Sequence, residues 1–326
     1  MKPTVVVTRK LFDAHIEQLR REYEVIDNQQ DLGLAPEVLR ERLAKADAAL
    51  IAGGERVDAP LLAACPKLKV VANVAVGYNN FDLDACTAAG VLATNTPDVL
   101  NEAVADHAWA LLLAAARRIG ESERWLRAGH WKRWTFDGFL GGQLAGSTLG
   151  ILGMGRIGRA IARRASGFSM RVLYHNRSPL SAELAGGAEY VDKATLVSQA
   201  DALIVVVPYA PEVHHAIGAN ELALMKKTAV LVNIARGGVV DDVALVKALR
   251  EGRIAAAGLD VFEGEPKLNE GFLQLENAVL TPHIASATAF TRDAMAQLAI
   301  HNAAEALAGR RPPCLLNPQA WENRRR

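Results

Sequence analysis

The sequence predicts an α/β protein made of two doubly wound, parallel-sheet domains. Three observations carry that expectation. The chain has 326 residues, about two domains at roughly 150 residues each. Half of its residues are hydrophobic and 22% are charged, a globular composition with enough apolar surface for two cores. Short β-branched runs alternate with helical patterns along most of the length, the arrangement that gives right-handed crossovers and layered sheets.

Taken in order, the strand candidates are 4–8, 48–52, 68–72, 91–93, 149–152, 171–174, 202–207, 229–233, 255–259 and 278–280. Most are continuously apolar, as strands covered on both faces of a parallel sheet should be. Helical patterns lie between them at 36–46, 156–165 and 243–251. A long apolar helix starts near Asn101, just after a Thr96-Pro97 break, and runs to about Arg118. It is apolar around its circumference, which predicts burial between domains or against a second subunit. From 121 to 146 the chain reads as irregular, with Trp125, Trp131, Trp134 and several glycines, as a covering segment would. The Arg324-Arg325-Arg326 end reads as solvated.

Composition excludes several partners. Lys and Arg number 37 against 36 Asp and Glu, a formal net charge of +1, so nothing points to nucleic acid or an anionic membrane. No apolar run approaches the roughly 20 residues that span a bilayer. Val5-Val6-Val7 gives way to Thr8, Arg9 and Lys10, too short for a signal-peptide core. Cys65, Cys86 and Cys314 are scattered, without metal-ligand or CxxC spacing. They fit a reducing compartment, so the expected location is the cytoplasm.

The run Gly150-Ile151-Leu152-Gly153-Met154-Gly155-Arg156-Ile157-Gly158 contains GxGxxG. A strand precedes it, a helix follows it, and another strand ends near Tyr174, which is the context a dinucleotide fingerprint requires. Gly153 allows the tight turn, Gly155 close approach to the pyrophosphate, and Gly158 close packing of helix on strand. The helix N-terminus offers N–H groups and positive dipole to the anion. At the end of the next strand an NAD site carries an acidic residue. Here Asn176, 23 residues after Gly153, is followed by Arg177 and Ser178. Nothing there repels a 2′-phosphate, and Arg177 and Ser178 suit one, although Arg177 also reads as an ordinary loop cation. NADP(H) is favoured over NAD(H). Expected cofactor contacts also include Arg156, Ile157, Pro208, Ile234, Ala235 and Asp260.

Three later segments each end an apolar strand with a reactive side chain: Arg236 before Gly237-Gly238, Asp260 through Glu265-Pro266, and Pro282-His283. In a parallel sheet they converge at the strands' carboxyl ends, beside the cofactor. Singly, each has an ordinary structural explanation; in this order after a GxGxxG they read as a site. The adjacent His214 and His215 read as a solvated loop pair, since neighbouring residues do not easily face one ion, and no metal is expected.

These motifs, with Ala75-Val76-Gly77-Tyr78-Asn79-Asn80-Phe81-Asp82, resemble the D-isomer-specific 2-hydroxyacid dehydrogenases over nearly the whole chain. Within the family the chain is most similar to the NADPH-dependent glyoxylate/hydroxypyruvate reductases of the bacterial 2-ketogluconate reductase group. The resemblance implies a Rossmann cofactor domain, 99–286, inserted into a flavodoxin-like substrate domain formed by 1–98 and 287–326. It implies a homodimer joined through the cofactor domains, with the helix after Asn101 in the interface. It implies reduction of small 2-keto acids such as glyoxylate, hydroxypyruvate or 2-ketogluconate to D-2-hydroxy acids. Arg236 would bind the substrate carboxylate and polarise the keto oxygen, and Val76 and Gly77 would bind the same carboxylate through backbone N–H groups. His283 would be the general acid, Glu265 its partner, and Asp260 a support near the nicotinamide.

The residue types suit that chemistry. Hydride addition puts negative charge on the keto oxygen, and a positioned imidazolium contributes on the order of 10²–10⁴ in rate. A carboxylate beside it favours the charged ring, while arginine cannot lose its charge and grips a carboxylate in a fork. Two departures from the family pattern occur, Ala285 where Gly is common and Asn79 where Asp is frequent; both bear on substrate size. The 43 residues after His283 are too few for the regulatory domain of phosphoglycerate dehydrogenases. Two other readings share the scaffold. One is a nucleotide-sensing, corepressor-like interaction protein, though no extra disordered segment for partners is present. The other is a phosphite or formate dehydrogenase, and Glu265 in place of Gln counts against formate.

Overall fold

In a computed structural model that describes residues 2–52 and 54–325, the chain forms two compact units. One comprises the residues up to Leu100 together with those from Thr288 onward; the other is Asn101–Ala287.

In the first unit β1 (Thr4–Val7), β2 (Glu24–Ile26), β3 (Ala48–Ile51), β4 (Val70–Asn73) and β5 (Leu92–Thr94) form a sheet in the order β2-β1-β3-β4-β5. All its strand pairs are parallel. The helix Ala289–Leu307 returns to pack on β3, β4 and β5 of this sheet. Val6, Leu43, Ile51, Leu62, Val71 and Ala93 belong to an apolar core of this unit. Cys65 and Cys86 lie in that core, and burial pushes the Cys86 thiol up to about 12, so both serve as small apolar fillers.

The second unit carries β6 (Thr148–Leu152), β7 (Arg171–His175), β8 (Glu189–Tyr190), β9 (Ala202–Val205), β10 (Val230–Asn233), β11 (Ala256–Leu259) and β12 (Ala278–Leu280). Its order is β12-β11-β10-β9-β6-β7-β8, again parallel throughout. The chain reverses its direction of progress between β6 and β9. That switch point opens a crevice beyond the carboxyl ends of the strands, where such sheets bind ligands. Strands β9, β10 and β11 are buried along their whole length, as their uninterrupted apolar sequence predicts. No helix of the described residues is long and apolar enough to cross a membrane.

All ten predicted strands are present, with ends shifted by up to two residues. The two that composition does not announce are β2 and β8. Both are short sheet-edge strands, half-exposed or exposed, so they carry no apolar run to read. Two other expectations, on the segment after 121 and on the basic end, need correction. The long helix, Asn101–Ala116, packs its buried residues against the helix Arg156–Ala165, β10 and β11 of its own unit. Trp109 stacks on Phe168 and donates its indole N–H to the Ile161 carbonyl, while Glu102 and Asp106 pair with Arg163 and Arg164 on the outer side. The segment read as irregular from 121 begins inside a further helix, Ile119–Arg127, which follows a left-handed turn at Arg118 and has no buried residue. Its i,i+3 and i,i+4 ion pairs, Arg118–Glu121 and Glu123–Arg127, support it in place of packing. The basic end is not simply solvated. Arg325 donates to the Cys65 and Leu68 carbonyls and Arg324 lies over the Trp321 ring at 3.7 Å; Arg326 falls outside the described residues.

Candidate active site

Because every strand of the second sheet runs the same way, the loops that follow them open along one edge. The glycine loop comes first, after β6. A Cβ added to Gly158 would stand 2.3 Å from the Gly153 carbonyl oxygen, whereas one added to Gly155 would meet nothing within 4 Å. Gly158 is therefore fixed by packing, and Gly155 borders open space at the N-terminus of the ten-residue helix Arg156–Ala165. An anionic dinucleotide fits there. Gly158→Ala is expected to cost about 1–3 kcal/mol of stability through overpacking, seen as a lower Tm. Gly155→Ala should leave Tm near wild type and weaken nucleotide binding. Equal Tm losses in both variants would overturn this division of roles.

Asn176 has a structural task that its sequence position does not reveal. Its Oδ1 accepts the Met154 N–H at 2.7 Å, and Gly153 N–H donates to the His175 carbonyl at 3.0 Å. The end of β7 thus holds the glycine loop in place, with Arg177 and Ser178 exposed beside it. Arg156 and Pro208 are exposed and Ile157 half-buried. Ile234 and Ala235 are buried, and their N–H groups are already taken by the Val205 carbonyl and Asn233 Oδ1. Any cofactor contact they make must therefore use other atoms.

The loops after β10, β11 and β12 bring Arg236, Glu265 and His283 together. A Cβ on Gly237 would lie 1.8 Å from the Phe262 carbonyl oxygen, so only glycine lets the Arg236 loop press against the Glu265 loop. Arg236 Nη1 donates to the Ala235 carbonyl at 2.7 Å. Burial lowers the Arg236 pKa from its usual value and the neighbouring Glu265 carboxylate opposes that, while a guanidinium stays charged throughout. Glu265 accepts the Phe262 N–H through Oε1 at 2.8 Å and meets His283 Nδ1 through Oε2, also at 2.8 Å. Burial raises its pKa, but the His283 hydrogen bond, the Phe262 N–H and the charge of Arg236 outweigh it, and the net shift is downward. Glu265 is therefore ionised at neutral pH. The His283 side chain is 47% exposed, open to an incoming molecule.

Asp260 sits beneath this cluster, 1% exposed. Its carboxylate accepts the Ile284 and Ala285 N–H groups at 2.8 and 2.9 Å and the Thr281 hydroxyl at 2.7 Å. His283 itself holds φ +53, a left-handed conformation uncommon for histidine. Two features here escape a reading of the sequence. One is Gly237, whose need for close approach depends on a loop 25 residues away. The other is His107 on the long helix, whose Nε2 lies 3.0 Å from Thr281 Oγ1 and 3.3 Å from Asp260 Oδ1. Its sequence neighbourhood reads only as apolar helix.

Val76 and Gly77 belong to the first unit, on the loop after β4. Asn95 and Asn73 donate to their carbonyls, each at 2.7 Å. The buried asparagines at the ends of the strands fix the loop's shape, another role without a sequence motif.

His214 and His215 do not form a merely solvated loop. Their rings stack with centroids 3.9 Å apart, His215 takes φ +52, and both rings face Glu263, at 3.9 and 3.1 Å. With Glu263 they are the trio of ligand-type residues close enough to hold an ion among the described residues. His215 Nε2 lies within hydrogen-bond distance of Glu263 Oε2, and the Tyr209 hydroxyl lies 3.3 Å from His214 Nδ1. Burial and the neighbouring Glu263 and Asp241 raise the nearby Asp242 carboxyl to about 6, against the Glu263 N–H it accepts.

The sequence profile of the D-isomer specific 2-hydroxyacid dehydrogenase NAD-binding domain matches residues 109–285. A glyoxylate reductase of Thermococcus onnurineus is 48% identical over 332 aligned positions, covering all of this chain and 99% of that one. The crystal structure of a glyoxylate reductase from Paecilomyes thermophila superposes with a TM-score of 0.87 at 34% identity, covering 98% of this chain and 99% of that one. An NADPH-dependent glyoxylate/hydroxypyruvate reductase of Sinorhizobium meliloti, crystallised with NADP and malonate, gives a TM-score of 0.85 at 35% identity, covering 100% and 99%. With a matching domain, relatives of full length and the same two-sheet fold, this chain belongs to the D-isomer specific 2-hydroxyacid dehydrogenase family.

Proposed function

We propose that the protein is an NADPH-dependent reductase of small 2-keto acids, with glyoxylate and hydroxypyruvate as leading substrates and 2-ketogluconate as a larger one. The observation that carries this reading is the 2.8 Å contact between His283 Nδ1 and a Glu265 carboxylate that also feels the charge of Arg236. A bound reduced nicotinamide supplies the hydride. The protein's own residues then manage the acid. Arg236 grips the substrate carboxylate and draws electron density toward the keto oxygen. With Nδ1 turned to Glu265, His283 Nε2 is the nitrogen that gives a proton to the forming alkoxide, and Glu265 stabilises the imidazolium before transfer. Val76 and Gly77, on the loop after β4, are assigned to substrate recognition through their N–H groups.

NADPH is preferred in this reading because β7 ends without a carboxylate and exposes Arg177 and Ser178, a planar cation and a hydroxyl suited to a 2′-phosphate. Asn176 holds the glycine loop through Oδ1, which leaves its Nδ2 amide group as the part assigned to the nucleotide. The 99–286 segment is assigned to the nucleotide and 1–98 with 287–326 to the substrate. Pairing with a second copy is supported by the apolar surface of 119–140, where Trp131, Trp134, Phe136 and Leu140 are strongly exposed, Trp134 at 74%. Large exposed apolar patches mark such contacts. A cytoplasmic location fits three cysteines that are all free.

The test is steady-state oxidation of NADPH and of NADH with glyoxylate, hydroxypyruvate and 2-ketogluconate. The expected result is turnover with NADPH at a kcat/KM at least ~10-fold above that with NADH, a difference of about 1.4 kcal/mol. Arg177→Ala should narrow that ratio through the KM for NADPH. No turnover with any 2-keto acid would overturn the reading, and an NADH preference would overturn its cofactor half.

A further inference from the structure

We propose that His107 is a positioning residue for the proton-donor turn, acting through Thr281 and Asp260. The inference rests on the reading of His283 as proton donor and adds a residue that none of the motifs contains.

The turn that carries His283 has to be held. Its left-handed φ of +53 costs a non-glycine residue free energy unless neighbours fix it. The fixing comes from Asp260. Its carbonyl accepts the His283 N–H at 2.9 Å, and its carboxylate gathers the next two N–H groups, of Ile284 and Ala285. A buried carboxylate that accepts several N–H bonds is a rigid clamp only while its own position is set. Two side chains set it. The Thr281 hydroxyl donates to Oδ1 at 2.7 Å, and His107 Nε2 reaches both that hydroxyl oxygen and Oδ1. His107 is 17% exposed and stands on the sixteen-residue helix Asn101–Ala116, which packs on β10, β11 and β12. A rigid helix anchored in the core thus delivers an N–H donor to the base of the clamp. The core-facing neighbours Val104, Ala108 and Leu111 on the same helix are apolar, so an apolar residue would fill the same place without the donor.

The arrangement separates donation from bulk. His107→Leu keeps volume and helix propensity but leaves Thr281 and Asp260 without the third partner; His107→Gln restores an N–H donor of similar reach. With NADPH and glyoxylate, His107→Leu is expected to lower kcat by about 10-fold through a slackened His283, since small misplacements of reacting groups carry penalties of that order. The dissociation constant for NADPH should hold within about 2-fold, and His107→Gln should recover kcat to within about 3-fold of wild type. Hydrogen–deuterium exchange of the peptide spanning 282–287 should be faster in His107→Leu and near wild type in His107→Gln. A wild-type kcat in His107→Leu, or equal losses in both variants, would overturn the proposal. Exchange is measured without substrate, so it separates the two ideas. If the wild-type protein reduces no 2-keto acid, the functional reading fails, while unchanged exchange in His107→Leu sinks the positioning role whatever the activity.

Discussion

His283→Gln is expected to lower kcat for 2-keto acid reduction by about 10²–10⁴-fold, the range of a lost general acid, while the dissociation constant for NADPH stays within about 2-fold. Glutamine fills much the same space and still donates a hydrogen bond, but it has no proton to give at neutral pH. The alkoxide formed by hydride addition must then take its proton from water. The nucleotide should bind as before, because the glycine loop is held by Asn176, Gly158 and the end of β7 and not by the His283 turn. The geometry makes the assignment specific. Glu265 is tethered at one oxygen by the Phe262 N–H and meets His283 with the other, so the imidazole is oriented before any substrate arrives. Pre-steady-state mixing of the NADPH complex with glyoxylate reads the chemical step directly. A single-turnover rate within about 3-fold of wild type would remove His283 from the proton transfer.

The parts of this arrangement differ in how far they can be read from sequence, and the difference is physical. Buried parallel strands announce themselves because both faces must be apolar, so Ala202–Val205 and Val230–Asn233 stand out as unbroken runs. The edge strands Glu24–Ile26 and Glu189–Tyr190 bury little and leave no pattern. The glycine loop is legible because chemistry and backbone demand glycine at fixed spacing; His283, Glu265 and Arg236 are legible because each lies in the segment that follows an apolar run. What escapes is set by contacts between distant segments. Gly237 answers to the Phe262 carbonyl, His107 to a carboxylate more than 150 residues away, and Asn176 to the Met154 N–H. The position of Asn176 in the βαβ unit is that of a nucleotide contact, and nothing in the sequence shows that its Oδ1 also holds the glycine loop. The long helix reads as apolar all round because most of that surface packs inside its own unit, while the large exposed apolar side chains follow it, at Trp131, Trp134 and Phe136.

Arg236→Gln is the second large effect: a fall in kcat/KM for glyoxylate of about 10²–10³-fold, or roughly 3–4 kcal/mol, the scale of removing one member of a buried charge pair. Most of it should appear in KM, since the interaction with a substrate carboxylate exists before the transition state as well as within it. Part should appear in kcat, because the guanidinium also faces the oxygen on which charge grows. Arg236→Lys separates charge from shape. Lysine keeps the cation yet offers a point charge on a flexible stem in place of a planar fork, and Gly237 pressed on the Phe262 carbonyl leaves the loop little freedom to adjust. It should therefore recover less than half of the loss expressed as free energy, about 1–2 kcal/mol. Removing the guanidinium also takes a cation from beside Glu265, whose lowered pKa depends first on His283 and the Phe262 N–H and only then on Arg236. Glu265 accordingly stays ionised in the variant, and His283 keeps its partner. This predicts a contrast within one protein. An uncharged carbonyl substrate, with no carboxylate to grip, should lose only the smaller share that the guanidinium contributes at the keto oxygen, about 10-fold, while glyoxylate loses heavily. If both substrates lose equally, Arg236 holds the site together without recognising the acid.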